Sequence, residues 1–76
     1  MKQLNKRFGE IVASRRRDSQ LSQEDLANEA KLHRTYISQI ERGIKSPTIG
    51  VLFDICSALK VAPSVIVKQL EGAAHA

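Results

Sequence analysis

Four polar side chains recur at helical spacing between residues 35 and 42. Thr35, Ser38, Gln39 and Arg42 occupy positions i, i+3, i+4 and i+7, which places them on one face of an α-helix. An ordinary solvated face carries mainly lysine and glutamate, whereas this one carries hydroxyls, an amide and an arginine. Such groups can hydrogen-bond base edges or grip phosphate oxygens. The composition favours a surface that reads nucleic acid, and a plain solvated face remains the alternative.

The other face of the same stretch is apolar. Ile37, Ile40 and Ile44 lie at i, i+3 and i+7, so we expect them to point inward from a helix over residues 34–42. Two predicted faces of opposite character therefore share one short helix. The apolar face would anchor the helix, and the polar face would be left to a partner.

A second helix is predicted immediately before it. Ser22 and Asp25 resemble a capping box, with aspartate in place of the usual glutamate, so the helix should begin at Ser22. The segment Lys31-Leu32-His33 is predicted to form a sharp turn into the next helix, with Leu32 pointing inward. The buried face of this helix is expected to consist of Leu26, Ala27 and Ala30.

Three further helices complete the prediction, over residues 4–18, 48–60 and 63–70. Glycine and proline lie mainly where helices should stop, and sustained alternation typical of strands is missing from the sequence. We therefore predict an all-α fold of five helices. The expected core stripes are Leu4, Phe8, Ile11 and Val12 in the first helix, Ile49, Leu52, Ile55, Cys56 and Leu59 in the fourth, and Ile66 and Leu70 in the fifth.

Length and composition restrict the class of protein. The 76 residues suit one small domain, with the tail 71–76 expected to fray, and the formal net charge of +4 suggests an anionic partner. One cysteine cannot form an internal disulfide. Two histidines and that cysteine form no arrangement of nucleophile and base, and we expect no enzyme activity, metal, cofactor or small-molecule ligand. No run is apolar enough for a membrane span, so we expect a cytoplasmic protein.

The sequence resembles a known family over about residues 8 to 70. The similarity is to the helix-turn-helix domain of the Cro and cI phage-repressor superfamily. Within that superfamily, the segment Arg34-Thr35-Tyr36-Ile37-Ser38 and the short length of the chain most resemble controller proteins of restriction-modification systems. It departs from common family usage at Lys31, where a turn glycine is usual. The resemblance rests on Phe8-Gly9, Arg16, Leu21-Ser22-Gln23, Leu26-Ala27, Ala30, Ile37-Ser38, Ile40-Glu41, Gly43, Pro47-Thr48, Leu52, Ile55, Ala58-Leu59 and Val61.

The resemblance implies roles for individual residues. The helix over residues 34–42 would enter the major groove of DNA, within a motif over about residues 22–42. Arg16 and Glu41 match positions that form a buried ion pair between the first and third helices. The positions implied to face bases are Arg34, Thr35, Ser38 and Gln39, and those implied or expected to contact phosphates are Gln23, Tyr36, Arg42, Lys45 and Ser46.

Excess apolar side chains near the C-terminus suggest self-association. Val65, Ile66 and Val67 are consecutive, and at about 100° per residue they cannot all face one core. Val65 and Val67, together with Phe53, are therefore predicted to form a homodimer surface within residues 48–70. Incidental exposed valines are the plainer alternative.

Taken together, the sequence predicts a sequence-specific regulator of transcription that binds double-stranded DNA. It would act as a two-fold dimer on a palindromic operator, with two copies of the third helix about 34 Å apart. The rival hypothesis is an antitoxin or other protein-interaction module built on the same fold. A glutamate-rich outer face on the third helix would have favoured that rival, and Arg34, Thr35 and Gln39 do not.

Overall fold

Five α-helices account for most of the chain. The computed structural model describes residues 2–75, and their side chains over residues 3–72. These residues contain no strand, so the predicted all-α fold is confirmed. The helices are α1 (Lys2–Asp18), α2 (Gln23–Ala30), α3 (Arg34–Glu41), α4 (Ile49–Ala58) and α5 (Pro63–His75).

One apolar core is shared by all five helices. α3 packs on α1 and α2, α2 packs on α4, and α5 closes the core against α1 and α4. Burial of apolar area at about 25 cal/mol per Å² is the main stabilising force in such a small domain. The fully or almost fully buried side chains are Phe8, Val12, Leu26, Ala27, Ala30, Ile37, Ile40, Ile55, Cys56, Leu59 and Ile66.

The caps at both ends of α2 fix where this helix starts and stops. Ser22 Oγ accepts a hydrogen bond from the Asp25 N–H at 2.9 Å, and Asp25 Oδ2 accepts one from the Ser22 N–H at 3.0 Å, which confirms the predicted capping box. Lys31 ends α2 with φ 58°, in the left-handed conformation. A lysine there costs about 1 kcal/mol relative to glycine. Leu32 then turns inward onto the core, as predicted.

Glycine lets α1 pack directly on the end of α3. A Cβ at Gly9 would fall on the carbonyl oxygens of Ile40 and Glu41, so only glycine allows this approach. Gly43, in the loop after α3, has φ +76° and also lies against α1. The end of α3 is thus held against α1 by backbone contact.

The predicted inward positions of Ile44 and Ile49 are wrong. Their side chains are 60% and 77% exposed, and that of Leu4, also expected in a core stripe, is 37% exposed. α3 ends at Glu41, so the helical period that placed Ile44 inside no longer applies. Ile49 is the first residue of α4. It lies at the edge of the apolar stripe, on the same side as the exposed Phe53, which follows one helical turn later. The core contacts of α4 come instead from Ile55, Cys56, Leu59 and the half-buried Leu52.

The C-terminal helix is longer than the sequence suggested. The sequence predicts an end at Leu70 and a frayed tail, but α5 continues to His75, and Ala76 lies outside the described residues. Gly72 alone does not end a helix, and the alanines that follow have the highest helix propensity. Within residues 2–75, no single helix meets the length and composition of a membrane span; only α4 and α5 taken together across a 107° bend do.

Candidate nucleic-acid interface

The polar stripe of α3 faces outward, as its spacing predicted. Arg34 and Thr35 are exposed at the start of the helix, and Ser38 and Gln39 are half-buried one turn later. Arg42 is exposed as the C-cap residue. Hydroxyl, amide and guanidinium groups therefore share one surface of a single helix. These groups can donate to and accept from base edges.

The inner face of α3 fixes the orientation of that stripe. Ile37 and Ile40 are completely buried, and Tyr36 packs partly buried against the same core. Because interiors are packed at crystal-like density, a helix held by two buried isoleucines cannot rotate without opening cavities. The outward side chains are thus presented from a rigid support.

An ion pair ties α1 to the C-terminal end of α3. Arg16 Nε lies 2.7 Å from Glu41 Oε2, and Arg16 Nη2 donates to Glu41 Oε1 at 3.1 Å. The side chains are only 12% and 6% exposed. Arg16 Nη1 also donates to the Leu21 carbonyl oxygen at 2.8 Å, in the segment before α2. The pair thus links three elements, and removing either partner would leave a charge buried alone.

Gln23 joins this ion pair, which sequence reasoning missed. Its Nε2 donates to Glu41 Oε1 at 3.0 Å, so the first residue of α2 is bonded to the last residue of α3. Gln23 was predicted to contact phosphate, and its half-buried amide is oriented by a carboxylate rather than left to rotate. A separation of 18 residues gives no local sequence signal for this contact.

A shallow polar hollow opens beside the first turn of α2. Arg16, Ser22, Gln23, Glu24 and Arg34 line it. The N-terminus of a helix carries a partial positive charge and unpaired N–H groups, which suit a phosphate oxygen. The hollow brings a predicted base contact, Arg34, next to a predicted phosphate contact, Gln23.

The loop after α3 contributes a second group of predicted phosphate contacts. Lys45 and Ser46 are both exposed, between Gly43 and the N-cap of α4. Thr48 provides that cap, since its Oγ1 accepts from the Val51 N–H at 3.1 Å. The backbone N–H groups of Ile44 and Lys45 donate to the Gln39 carbonyl oxygen, at 2.9 and 3.3 Å, so the start of the loop stays close to the end of α3.

Two ionisable groups have altered proton affinity. Hydrogen bonds from the backbone and the hydroxyl of Ser22 lower the pKa of Asp25, because they stabilise its carboxylate. Burial raises the pKa of the Cys56 thiol, with a smaller opposing effect of Arg15. Asp25 therefore keeps its negative charge at the start of α2, and Cys56 remains a neutral, buried side chain.

The predicted dimer residues are exposed, but on two helices. Phe53 on α4 is 55% exposed, and Val65 and Val67 on α5 are each 41% exposed. Gln69, one turn after Val65, accepts hydrogen bonds from Arg15 of α1 at 2.7 and 3.0 Å. Val65 thus lies on the α1 side of α5, whereas Val67 lies on the other side of the buried Ile66.

Comparison with known proteins agrees with this arrangement. The family described as helix-turn-helix matches residues 12–66. Control protein C.BamHI of Bacillus amyloliquefaciens is 47% identical over 57 residues, which cover 74% of this chain and 70% of that protein. An uncharacterized HTH-type transcriptional regulator of Mycobacterium tuberculosis is 34% identical over 58 residues, 76% of this chain. The match spans only 41% of that longer regulator.

A solved structure shows the same fold bound to DNA. The restriction-modification controller protein C.Esp1396I, crystallised as a tetramer in complex with its natural 35 base-pair operator, is 35% identical to this chain. The TM-score is 0.82, and the alignment covers 91% of each chain. The similarity thus extends over almost all of the five-helix fold.

Proposed function

This chain belongs to the helix-turn-helix family, and from that premise we propose that it is a regulator of transcription that binds double-stranded DNA in a sequence-specific manner. The observation that carries the proposal is the outward stripe of α3, anchored underneath by Ile37 and Ile40. A helix with this combination of a rigid base and hydrogen-bonding side chains fits the major groove.

Specificity is assigned to the first half of α3. Arg34 suits guanine O6 and N7, Gln39 suits adenine N6 and N7, and the Thr35 methyl suits the methyl group of thymine. Ser38 can bond to more than one base. Substituting these four residues should change which sequence is bound.

Affinity is assigned to groups that surround α3. Gln23 at the start of α2 and Lys45 in the loop after α3 lie on two separate elements, and Arg42 lies at the end of α3 itself. Tyr36 and Ser46 belong to the same proposed set. Contacts with phosphates fix register and supply a salt-dependent share of binding without reading sequence.

We propose that two copies act together. α3 has 8 residues, about 12 Å, and spans only about three or four base pairs. A two-fold dimer doubles the sequence that is read and places two copies of α3 about 34 Å apart on a palindromic site. Phe53, Val65 and Val67 would form the interface, and the exposed Ile49 lies beside Phe53.

Similarity to control protein C.BamHI and to C.Esp1396I supports a controller role in a restriction-modification system. The operator complex of C.Esp1396I contains a tetramer, so two dimers on neighbouring sites are compatible with the same fold. A protein of this kind would act in the cytoplasm, which contains the operator DNA that it binds.

Titration with a labelled duplex of mixed sequence tests whether the protein binds double-stranded DNA at all. Fluorescence anisotropy should rise in a saturable way, and the logarithm of the binding constant should fall linearly with the logarithm of salt concentration. Saturable, salt-independent binding of a protein partner with no response to the duplex would favour the interaction module instead.

A further inference from the structure

Lys6 of α1 lies against the loop that follows α3. A Cβ at Gly43 would meet the Lys6 Cα at 2.8 Å, its backbone nitrogen at 3.1 Å and its Cβ at 3.2 Å. The two backbones are therefore in contact, with only glycine allowing the approach. The side chain of Lys6 starts from this contact and is exposed.

This contact brings Lys6 close to the loop that carries predicted phosphate contacts. Lys45 is two residues beyond Gly43, so its Cα lies within about 7 Å of the Gly43 Cα along the chain. Both lysines are exposed and both bear flexible four-carbon stems. A lysine of α1 and a lysine of the loop after α3 thus start from neighbouring parts of the backbone, beyond the C-terminal end of α3.

We infer that Lys6 is a further contact to the DNA backbone, on the same strand segment as Lys45. The inference rests on the proposed function. Lysine binds phosphate as a point charge and needs no bidentate geometry, so an exposed and flexible side chain suffices. α1 then contributes more than a packing surface. Gly9 allows α1 to pack closely on α3, and Lys6 extends the positively charged surface beyond the end of α3.

Glu10 offers Lys6 a competing role. It lies one helical turn after Lys6, and both line a shallow depression with Gln3 and Arg7. A lysine that pairs only with Glu10 would support α1 and leave DNA binding unaffected. The two roles differ in their effect on the salt dependence of binding.

A salt series of DNA-binding measurements separates a phosphate contact by Lys6 from pairing with Glu10. The full chain is titrated into a fluorescein-labelled duplex of mixed sequence at each salt concentration. Lys6→Gln should flatten the slope of the logarithm of the binding constant against the logarithm of salt concentration by about 1 per protomer. It should also weaken binding, most strongly at low salt concentration. Lys6→Arg should retain the slope, because it keeps the charge.

Lys60→Gln is the matched control. It removes the same charge two residues after the end of α4, in a hollow lined also by Glu29 and Ala58, and should leave the slope unchanged. A wild-type slope in Lys6→Gln, with binding by the wild-type protein intact, would overturn the Lys6 contact alone. Equal losses in Lys6→Gln and Lys60→Gln would also overturn it, since net charge would then explain the effect. Failure of the wild-type protein to bind any duplex would overturn the proposed function together with this contact.

Discussion

Gln23 Nε2 donates a hydrogen bond to Glu41 Oε1 at 3.0 Å, so the two helices of the motif are joined at the residue predicted to touch phosphate. Because a carboxylate only accepts hydrogen bonds, the amide nitrogen and not the amide oxygen faces Glu41. Nε2 carries a second hydrogen, which is the group that can donate outward. Arg16 donates to both oxygens of the same carboxylate, so Glu41 is held by Arg16 as well as by Gln23.

Gln23→Ala should weaken binding to every DNA sequence by a similar factor. A hydrogen bond to a charged phosphate contributes about 1.5 kcal/mol, roughly tenfold in affinity for each protomer. Titration of several unrelated duplexes by anisotropy measures this effect. Asn28→Ala, an exposed polar truncation at the other end of α2, is the control and should bind like the wild type. A loss restricted to one base sequence would assign Gln23 to base reading instead.

Gly9→Ala should destabilise the fold, although alanine normally favours a helix. The added Cβ would press on the carbonyl oxygens of Ile40 and Glu41, and overpacking of this kind costs about 1–3 kcal/mol. Urea unfolding followed by circular dichroism measures the change. Gly72→Ala makes the same substitution in α5, where nothing lies within 4 Å, and should be neutral or stabilising by up to about 1 kcal/mol. Equal stabilities for the two variants would contradict the close packing of α1 on α3.

The capping box should make stability depend on pH at the acidic end. The folded protein holds the pKa of Asp25 below its ordinary value, so this stabilisation is present above the ordinary aspartate pKa and is lost as the pH falls through the lower folded value. Asp25→Asn should remove this part of the pH dependence. Thermal unfolding between neutral and acidic pH tests the prediction, with Asp54→Asn as an exposed control outside the cap. The same acid-induced loss in Asp25→Asn and the wild type would rule out the cap as its source.

Phe53→Glu should convert the proposed dimer into a monomer. A charge placed on a 55% exposed aromatic side chain would have to be desolvated in the proposed interface. Sedimentation equilibrium gives the mass directly, and Val65→Glu and Val67→Glu test the two α5 residues of the proposed interface in the same way. Asn28→Glu adds the same charge on α2 and should leave the mass unchanged. A dimeric Phe53→Glu protein would exclude Phe53 from the interface.

Local patterns in the sequence predicted most of the fold. The helical period identified Ile37, Ile40, Ile55 and Ile66 as core residues, and the capping box identified Ser22 as a helix start. Such signals span one or two helical turns, which is the range over which backbone geometry repeats. The period misplaced Ile44 because it was extended past the end of α3.

Contacts between distant residues could not be predicted from such patterns. Gln23 meets Glu41 and Lys6 meets Gly43 only because the helices pack at particular angles. The Arg16 and Glu41 pair was implied by the family resemblance, and spacing alone would not have indicated it. The exposure of Ile49 similarly depends on which elements cover the first turn of α4.

The central claim is tested most directly by selecting bound sequences from a random pool of DNA duplexes. The selection is carried out in parallel for the wild-type protein and for Arg34→Ala. The claim is that exposed side chains on the first half of α3 read bases. The wild type should enrich an inverted repeat whose halves are centred about one helical turn, roughly 34 Å, apart. Arg34→Ala should enrich the same repeat with preference relaxed at one base pair in each half, at a cost of about 1–3 kcal/mol. No enriched motif for the wild type, or an identical motif for Arg34→Ala, would contradict the assignment of α3 as the base-reading helix.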